Sequence, residues 1–335
     1  MIGNHPTILM ATRNRAATLE SVLDAYCRLE SPPAGWDLVI VDNGSTDRTA
    51  EVVRSFRDRL PITFCFESTP GKNAALNTGL PLVTGDLIVF TDDDIFPKTD
   101  WLIRLCEAAD ERESYSIFAG IIAPRWEAAP SSVIRQAIPL AIAYAFHPQG
   151  LSEGPARPNN ALGGNVAIRA EIFHRGYRFN TSIGPRPTSY TMGSEAELIR
   201  RLARDGERIW CCERANVEHL IPRSNLETSW ILERAVRWGR CRCFFDSLDA
   251  QQTQPSWLGI PRWIFRAAVG QAATATRAAL SGNAAMLLHA RWRLRFLKGV
   301  AYEARQLRRT GPRRMRSFAK PDATARPSEV GNKVS

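Results

Sequence analysis

Over its first hundred residues the chain alternates short apolar runs with amphipathic ones, and this alternation limits the available folds more than any other feature. Thr7 to Ala11 reads as a strand, and Ala17 to Leu29 repeats Leu19, Val22, Leu23 and Tyr26 at helical spacing. Trp36 to Val41 contains LeuValIleVal, the continuous run of a strand covered on both faces. Thr46 to Phe56 reads as a helix with Thr46 or Asp47 as its N-cap, Ile62 to Glu67 as a strand, Lys72 to Thr78 as a helix and Asp86 to Phe90 as a strand. The succession βαβαβαβ predicts a Rossmann-like, mainly parallel sheet flanked by helices, with ligand-binding groups at the carboxyl ends of the strands.

Polar residues cluster at those ends. PheThrAspAspAspIle (90–95) closes one strand, and continued extended backbone would point Asp92 and Asp94 together and Asp93 away. Two convergent carboxylates suit a hard divalent cation that keeps waters and bridges phosphate oxygens. ValAspAsnGlySerThrAsp (41–47) places Asp42 where it can accept hydrogen bonds from a base or ribose, and Gly44 permits a tight reversal. ProGlyLysAsnAlaAlaLeuAsn (70–77) opens a helix with Lys72, a site for an anion, and ThrArgAsnArg (12–15) adds Arg13 and Arg15 at the same edge. Singly, each motif also reads as a solvated turn or a helix cap. Together they suit a nucleoside diphosphate and its metal.

In this order the motifs resemble the family-2 glycosyltransferases, which have the A-type nucleotide-sugar-dependent (GT-A) fold. GlyGlyAsnValAlaIleArg (163–169), GlySerGluAlaGluLeu (193–198) and ValGluHis (217–219) continue the resemblance, which spans roughly residues 5–240. It implies inverting transfer from a nucleotide diphosphate sugar, UDP- or GDP-linked, with Mg²⁺ or Mn²⁺. By the same resemblance Asp42 contacts the nucleoside, Asp92 and Asp94 bind the metal with His219 completing the site, and Thr12, Arg15, Lys72 and Asp93 contact the nucleotide sugar. The family's usual Glu-Asp pair is Ser194-Glu195 here, which leaves Glu195 as the candidate base. Inversion in one displacement needs one carboxylate opposite the leaving group, and Glu197, two residues on, faces elsewhere on a helix. ArgAlaValArgTrp (234–238) approximates a motif of processive members, making Arg237 a diphosphate contact and Trp238 an acceptor contact.

Beyond residue 100 the pattern loosens: a helix at Trp101 to Ala109, a strand near Ser116 to Ile122, an irregular Pro- and Gly-rich stretch, a helix at Ser194 to Arg204, and a short strand near Arg208 to Cys211. From residue 226 helix dominates, interrupted at Gln251 to Pro261, and the polar last fifteen residues are expected to be disordered. The expected division is a catalytic domain at 1–225, with a nucleotide-sugar half (1–100) and an acceptor half (101–225), then a helical basic region at 226–320 and a tail at 321–335.

The net charge of +10 matters through its location. Residues 290–320 hold eleven Arg or Lys against Glu303 alone, so the remainder is neutral. Between residues 256 and 309 arginines interleave with Trp257, Trp263, Phe265, Trp292 and Phe296, in segments too polar to span a bilayer. That suits peripheral attachment to anionic lipid, with the apolar Ala137 to Phe146 as a second contact; packing of a helical subdomain is the alternative. Met1 runs into a strand without a signal-peptide pattern, and seven scattered cysteines suit reduced thiols, so the expectation is a cytoplasmic protein on the inner face of a membrane. A zinc site from Cys211, Cys212, Cys241, Cys243 and His219 lacks the usual spacing. The main expectation is an enzyme building a polysaccharide or glycolipid on a glycan or lipid-linked acceptor. A nucleotidyltransferase and a non-catalytic nucleotide-sugar or nucleic-acid binding module stay open, although nucleic acid is not the expected partner because it leaves the strand-tip carboxylates unexplained.

Overall fold

The computed structural model describes residues 3–147, 151–187, 190–249 and 256–310. Strands β1 (Pro6–Thr12), β2 (Asp37–Asp42), β3 (Ile62–Phe66) and β4 (Leu87–Asp92) alternate with helices α1 (Ala16–Tyr26), α2 (Thr49–Ser55) and α3 (Lys72–Gly79). The four strands pair in parallel in the order β3-β2-β1-β4. Both faces are covered, which explains the unbroken apolar runs. Ile8, Met10, Leu38, Ile40 and Val89 pack under α1 residues such as Leu19 and Val22. Their neighbours Leu9, Val39, Val41, Ile88 and Phe90 pack on the other side with Leu76 of α3. Residues adjacent in sequence join opposite layers, as the two-residue period of a strand requires.

The second half adds β5 (Ile95–Pro97), α4 (Trp101–Glu111), β6 (Ile117–Trp126), α5 (Ser132–Ala137), α6 (Leu140–Tyr144), β7 (Gly154–Ala156), β8 (Val166–Arg169), α7 (Glu171–His174), α8 (Ser194–Arg204) and β9 (Ile209–Ile221). From β4 the sheet continues through β8, β6 and β9 to β5, with β7 also on β9. Here the sheet is mixed: β8 runs antiparallel to β4 and β6, and β5 and β7 run antiparallel to β9.

Strand β9 extends ten residues beyond the expected end at Cys211. Polar Glu213 and Arg214 break its apolar pattern where the β6–β9 register shifts, Gly120 facing Cys212 and Ile121 facing Asn216. Buried Asn165 ties this bulge together, donating to Ile121 O (3.0 Å) and Ala215 O (2.9 Å) and accepting from Trp101 Nε1 (2.8 Å).

The C-terminal region contains α9 (Thr228–Asp249), a hairpin of β10 (Ser256–Trp257) and β11 (Ile260–Pro261), α10 (Arg262–Leu280) and α11 (Ala284–Thr310). Ala137 to Phe146, read above as a lipid contact, runs from the last residue of α5 through α6; it buries Ala137, Ile138, Ala143 and Tyr144 against Ile231 and Trp292, so packing explains most of its apolar character. No helix among the described residues is long and apolar enough to cross a membrane. Residues 311–335, including the last ten of the basic segment and the tail expected to be disordered, lie outside the described residues, as do 251–255 of the expected interruption.

Candidate active site

The site assembles at the carboxyl edge of the parallel strands. Register sets Thr12 beside Asp42 and Ala11 beside Asp92, so the tips of β2, β1 and β4 form one row. Asp42 is buried and accepts from the backbone N–H of Ser45 at 2.9 Å, which shapes its turn. Asn43 organises the next loop: its amide donates to Glu67 O and Thr69 O, and its Oδ1 accepts from Gly71 N at 2.7 Å. This fixes the entry to α3 and the position of Lys72.

Extended backbone stops at Asp92, and Asp93 and Asp94 occupy a turn before β5, so strict alternation does not govern where they point. Asp93 accepts from Thr12 Oγ1 at 2.8 Å and lies 3.8 Å from Arg15 Nε, while Asp94 lies 3.7 Å from Arg15 Nη2. Asp94 also faces His219 Nε2 at 3.7 Å. Lys72 Nζ bonds Asp92 and stands 2.5 Å from Glu195 Oε1, on the first turn of α8. Thr12, Arg15, Lys72, Asp92, Asp93, Asp94, Glu195 and His219 therefore form one connected cluster. Glu197 faces away and pairs with Arg201 at 3.1 Å.

Charge is crowded in this cluster. Burial, with repulsion from Asp94, pushes Asp93 up to about 7 despite Arg15 and Thr12. Burial also raises Asp92 above the usual carboxylate range, against the pull of Lys72. Burial opposes the charged forms of Asp94 and His219, yet their mutual attraction prevails, holding Asp94 below and His219 above their ordinary values. Lys72 is held protonated, the attraction of Asp92 and Glu195 outweighing its burial.

His219 carries a positional signature. Its Nδ1 lies 2.8 Å from Tyr144 O, and a carbonyl only accepts, so Nδ1 bears a hydrogen and Nε2, which faces Asp94, is the ring nitrogen left to take either a proton or a cation. A backbone carbonyl that fixes the tautomer in this way is a common support for a metal-binding histidine. Asp94 and His219 thus fit a divalent cation that completes its shell with water and phosphate oxygens. Among the described residues no group of three His, Cys, Asp or Glu side chains is arranged as a metal cage, for zinc or otherwise.

Three features received no role from the sequence, although Gly163 and Arg234 lie within motifs quoted above. Gly163 leaves the space that the Glu195 carboxyl fills. The Tyr144 carbonyl orients His219, and a backbone group leaves no trace in residue type. Arg234 donates to Ala143 O at 2.8 Å, one residue from that carbonyl. Arg237 lies 5.3 Å from the Tyr190 ring and 3.7 Å from Glu233, and no contact joins it to the carboxylate cluster among the described residues. The Trp238 ring packs on Phe296 (centroids 4.5 Å apart) and Trp292 (6.2 Å), so its contacts are with α11, where an acceptor contact was expected.

A parallel half β3-β2-β1-β4, a mixed half beyond it and a cluster of charged groups at their junction make up the GT-A fold of the glycosyltransferases. The chain belongs to the family described as Glycosyl transferase family 2, whose pattern matches residues 7–176, and it is a glycosyltransferase enzyme. It is 35% identical over 91 residues to validoxylamine A glucosyltransferase of Streptomyces hygroscopicus subsp. limoneus, covering 27% of this chain and 20% of that protein. It is 27% identical over 154 residues to undecaprenyl-phosphate 4-deoxy-4-formamido-L-arabinose transferase of Pseudomonas paraeruginosa, covering 43% of this chain and 44% of that one. The matches thus span less than half the length of these curated relatives. Among solved structures, the mannosyltransferase PcManGT of Pyrobaculum calidifontis in complex with GDP-Man and Mn²⁺ shares the fold with a TM-score of 0.60 and 22% identity, covering 90% of this chain and 87% of that one. S. aureus TarS 1-349 in complex with UDP has a TM-score of 0.51 at 15% identity, with 91% of each chain covered.

Proposed function

We propose that this enzyme moves a sugar from a nucleoside diphosphate donor, UDP- or GDP-linked, to a hydroxyl of a glycan or lipid-linked acceptor, with inversion and with Mg²⁺ or Mn²⁺. Residues 1–225 form the catalytic unit, and 226–320 hold it at the anionic inner face of a membrane where a polysaccharide or glycolipid is assembled. The carrying observation is the bridge from Asp92 through Lys72 to Glu195, which joins the nucleotide edge to a carboxylate more than a hundred residues away.

Glu195 takes the acceptor's proton as the new glycosidic bond forms and the bond from the sugar to the diphosphate breaks. Arg15 and Lys72 supply positive charge to the departing diphosphate, while Thr12, Asp42 and Asp93 position the nucleotide. Asp94 and His219 would hold the divalent cation, with Asp92 beside them; when bound, it offsets the charge developing on the leaving group. Four crowded carboxylates facing Arg15 and Lys72 support a need for such a cation. The glucosyltransferase and the undecaprenyl-phosphate sugar transferase among the relatives, and GDP-Man, Mn²⁺ and UDP in the structural neighbours, support the donor class.

The test is a screen of nucleotide sugars for Mn²⁺-dependent hydrolysis or transfer, repeated with Asp94→Ala. Release of a nucleoside diphosphate that Asp94→Ala abolishes is the expected result. Pyrophosphate release would mean nucleotidyl transfer, and silence from every donor would overturn the reading.

A further inference from the structure

Helix α11 divides its residues between two faces. Leu288, Trp292, Phe296, Leu297 and Val300 are buried, and Glu303 on the same side pairs with Arg240 of α9 at 2.9 Å. Arg291, Arg295, Lys298, Tyr302, Arg305 and Arg309 recur every three or four residues along the exposed face. The one acid of this helix is therefore turned inward and neutralised, leaving the outer face cationic. Among the described residues, Lys298, Arg305, Arg308 and Arg309 have no ion-pair partner.

These cations line a cavity of about 610 Å³ closed on one side by the β10–β11 hairpin. That volume lies within the ~300–1,000 Å³ usual for small-ligand sites, and no acidic residue lines it among the described residues. The hairpin is anchored through Ile260, which packs with Ile264, Phe296 and Val300. Its turn is Leu258-Gly259, both at positive φ (49° and 80°), with Gly259 close against Arg308. Trp257 is 59% and Leu258 69% exposed. Leu258 thus stands in solvent on the lining of the cationic cavity, with Trp257 next to it in the hairpin.

We propose that this cavity binds the phosphate of an anionic membrane phospholipid while Trp257 and Leu258 of the hairpin enter the headgroup–acyl boundary. The proposal rests on the membrane-surface part of the function above and names the lipid chemistry and its site. Charge complementarity assigns the phosphate to Lys298, Arg305, Arg308 and Arg309. The exposed hairpin side chains favour lipid over free phosphate or RNA, since neither gives Trp257 and Leu258 together an apolar environment.

The test is co-sedimentation of the full chain with phosphatidylcholine vesicles, with and without phosphatidylglycerol, for the unaltered protein, Arg305→Ala/Arg308→Ala and Trp257→Ser/Leu258→Ser. Circular dichroism checks folding, and inorganic phosphate and a mixed-sequence single-stranded RNA serve as competitors. The expected result is binding that requires phosphatidylglycerol, weakens about 30-fold in the arginine variant and also weakens in the hairpin variant. Absence of binding by the unaltered protein would overturn both this site and the membrane reading. Vesicle binding indifferent to the folded arginine variant would overturn the cavity and leave the membrane reading standing. Loss of vesicle binding to millimolar phosphate or to RNA, with no effect of the hairpin substitutions, would assign the cavity to a soluble anion or a nucleic acid and overturn the lipid proposal.

Discussion

The Glu195 carboxyl occupies the space that a side chain on Gly163 would need: a Cβ there would stand 2.3 Å from both Cδ and Oε2 of Glu195. Gly163 does not have a positive φ, so alanine brings no backbone strain. The group in the way is the far end of a flexible side chain, so the clash is relieved by moving Glu195, and the fold survives. Gly163→Ala is expected to leave the melting temperature within a few degrees and lower kcat about 100-fold, since small misplacements of a catalytic group cost about that much. Steady-state kinetics beside a melting curve checks this; unchanged kcat would separate Glu195 from the chemistry.

Glu195→Gln keeps the shape of the side chain and removes its capacity to take a proton. If Glu195 is the base and Thr12, Asp42 and Lys72 hold the donor as proposed, kcat falls by about 10²–10⁴-fold while the donor KM changes little. Donor titration at saturating acceptor provides the reading. A large rise in donor KM at constant kcat would make Glu195 a binding residue.

The facing of Asp94 and His219 across 3.7 Å predicts a metal phenotype. His219→Gln removes the Nε2 lone pair and is expected to raise the half-saturating Mn²⁺ concentration at least 10-fold while activity recovers at high metal. Activity measured across an Mn²⁺ series decides, and an unchanged metal requirement would leave His219 a structural residue held by Tyr144.

The parallel half of the fold was legible because strands covered on both faces need continuous apolar runs, as LeuValIleVal in β2 shows. The candidate cluster was legible in the same region because register alone aligns Thr12, Asp42 and Asp92. Strand β9 was cut short because residues 213–215 bulge from the ladder, and a bulge breaks the period that marks a strand. Trp238 was read by its motif as an acceptor contact, whereas its place between α9 and α11 follows from an aromatic partnership 54 or more residues distant. Gly163 carries no side chain, so its role appears only when α8 is folded against it.

His5 and Asp37 make a pair whose contribution depends on pH. Nε2 lies 2.8 Å from Oδ2, with each side chain about a third exposed. Burial lowers the His5 value, but Ala34 O and Asp37 together leave it above 6.5; burial raises that of Asp37, yet Thr84 and His5 leave it below 3.8. The His5 contribution is full below 6.5 and is lost as pH rises through its folded value. The Asp37 contribution is full above 3.8 and is lost as pH falls through its own. The pair therefore stabilises most between those limits. His5→Gln is expected to lower the melting temperature at pH 5.5 more than at pH 8.5, and equal losses at the two pH values would remove the pair from the account.

Helices α9 and α11 touch through glycine on both sides: a Cβ on Gly239 would stand 2.0 Å from Phe296 O, and one on Gly299 2.0 Å from Val236 O. Both obstacles are backbone atoms, which no rotamer change can move, so any side chain forces the helices apart and loosens Trp292 and Phe296 behind them. Gly299→Ala is expected to cost about 1–3 kcal/mol, or several degrees of melting temperature. Gly270 in α10 gives the opposite case: it lies within the helix with nothing within 4 Å of a built Cβ. Gly270→Ala lowers the entropy of the unfolded chain at no steric cost and should stabilise by about 0.5–1 kcal/mol. Thermal denaturation of the two variants in one buffer tests the crossing by sign. A Gly299→Ala protein as stable as the parent would mean that the helices are not in backbone contact.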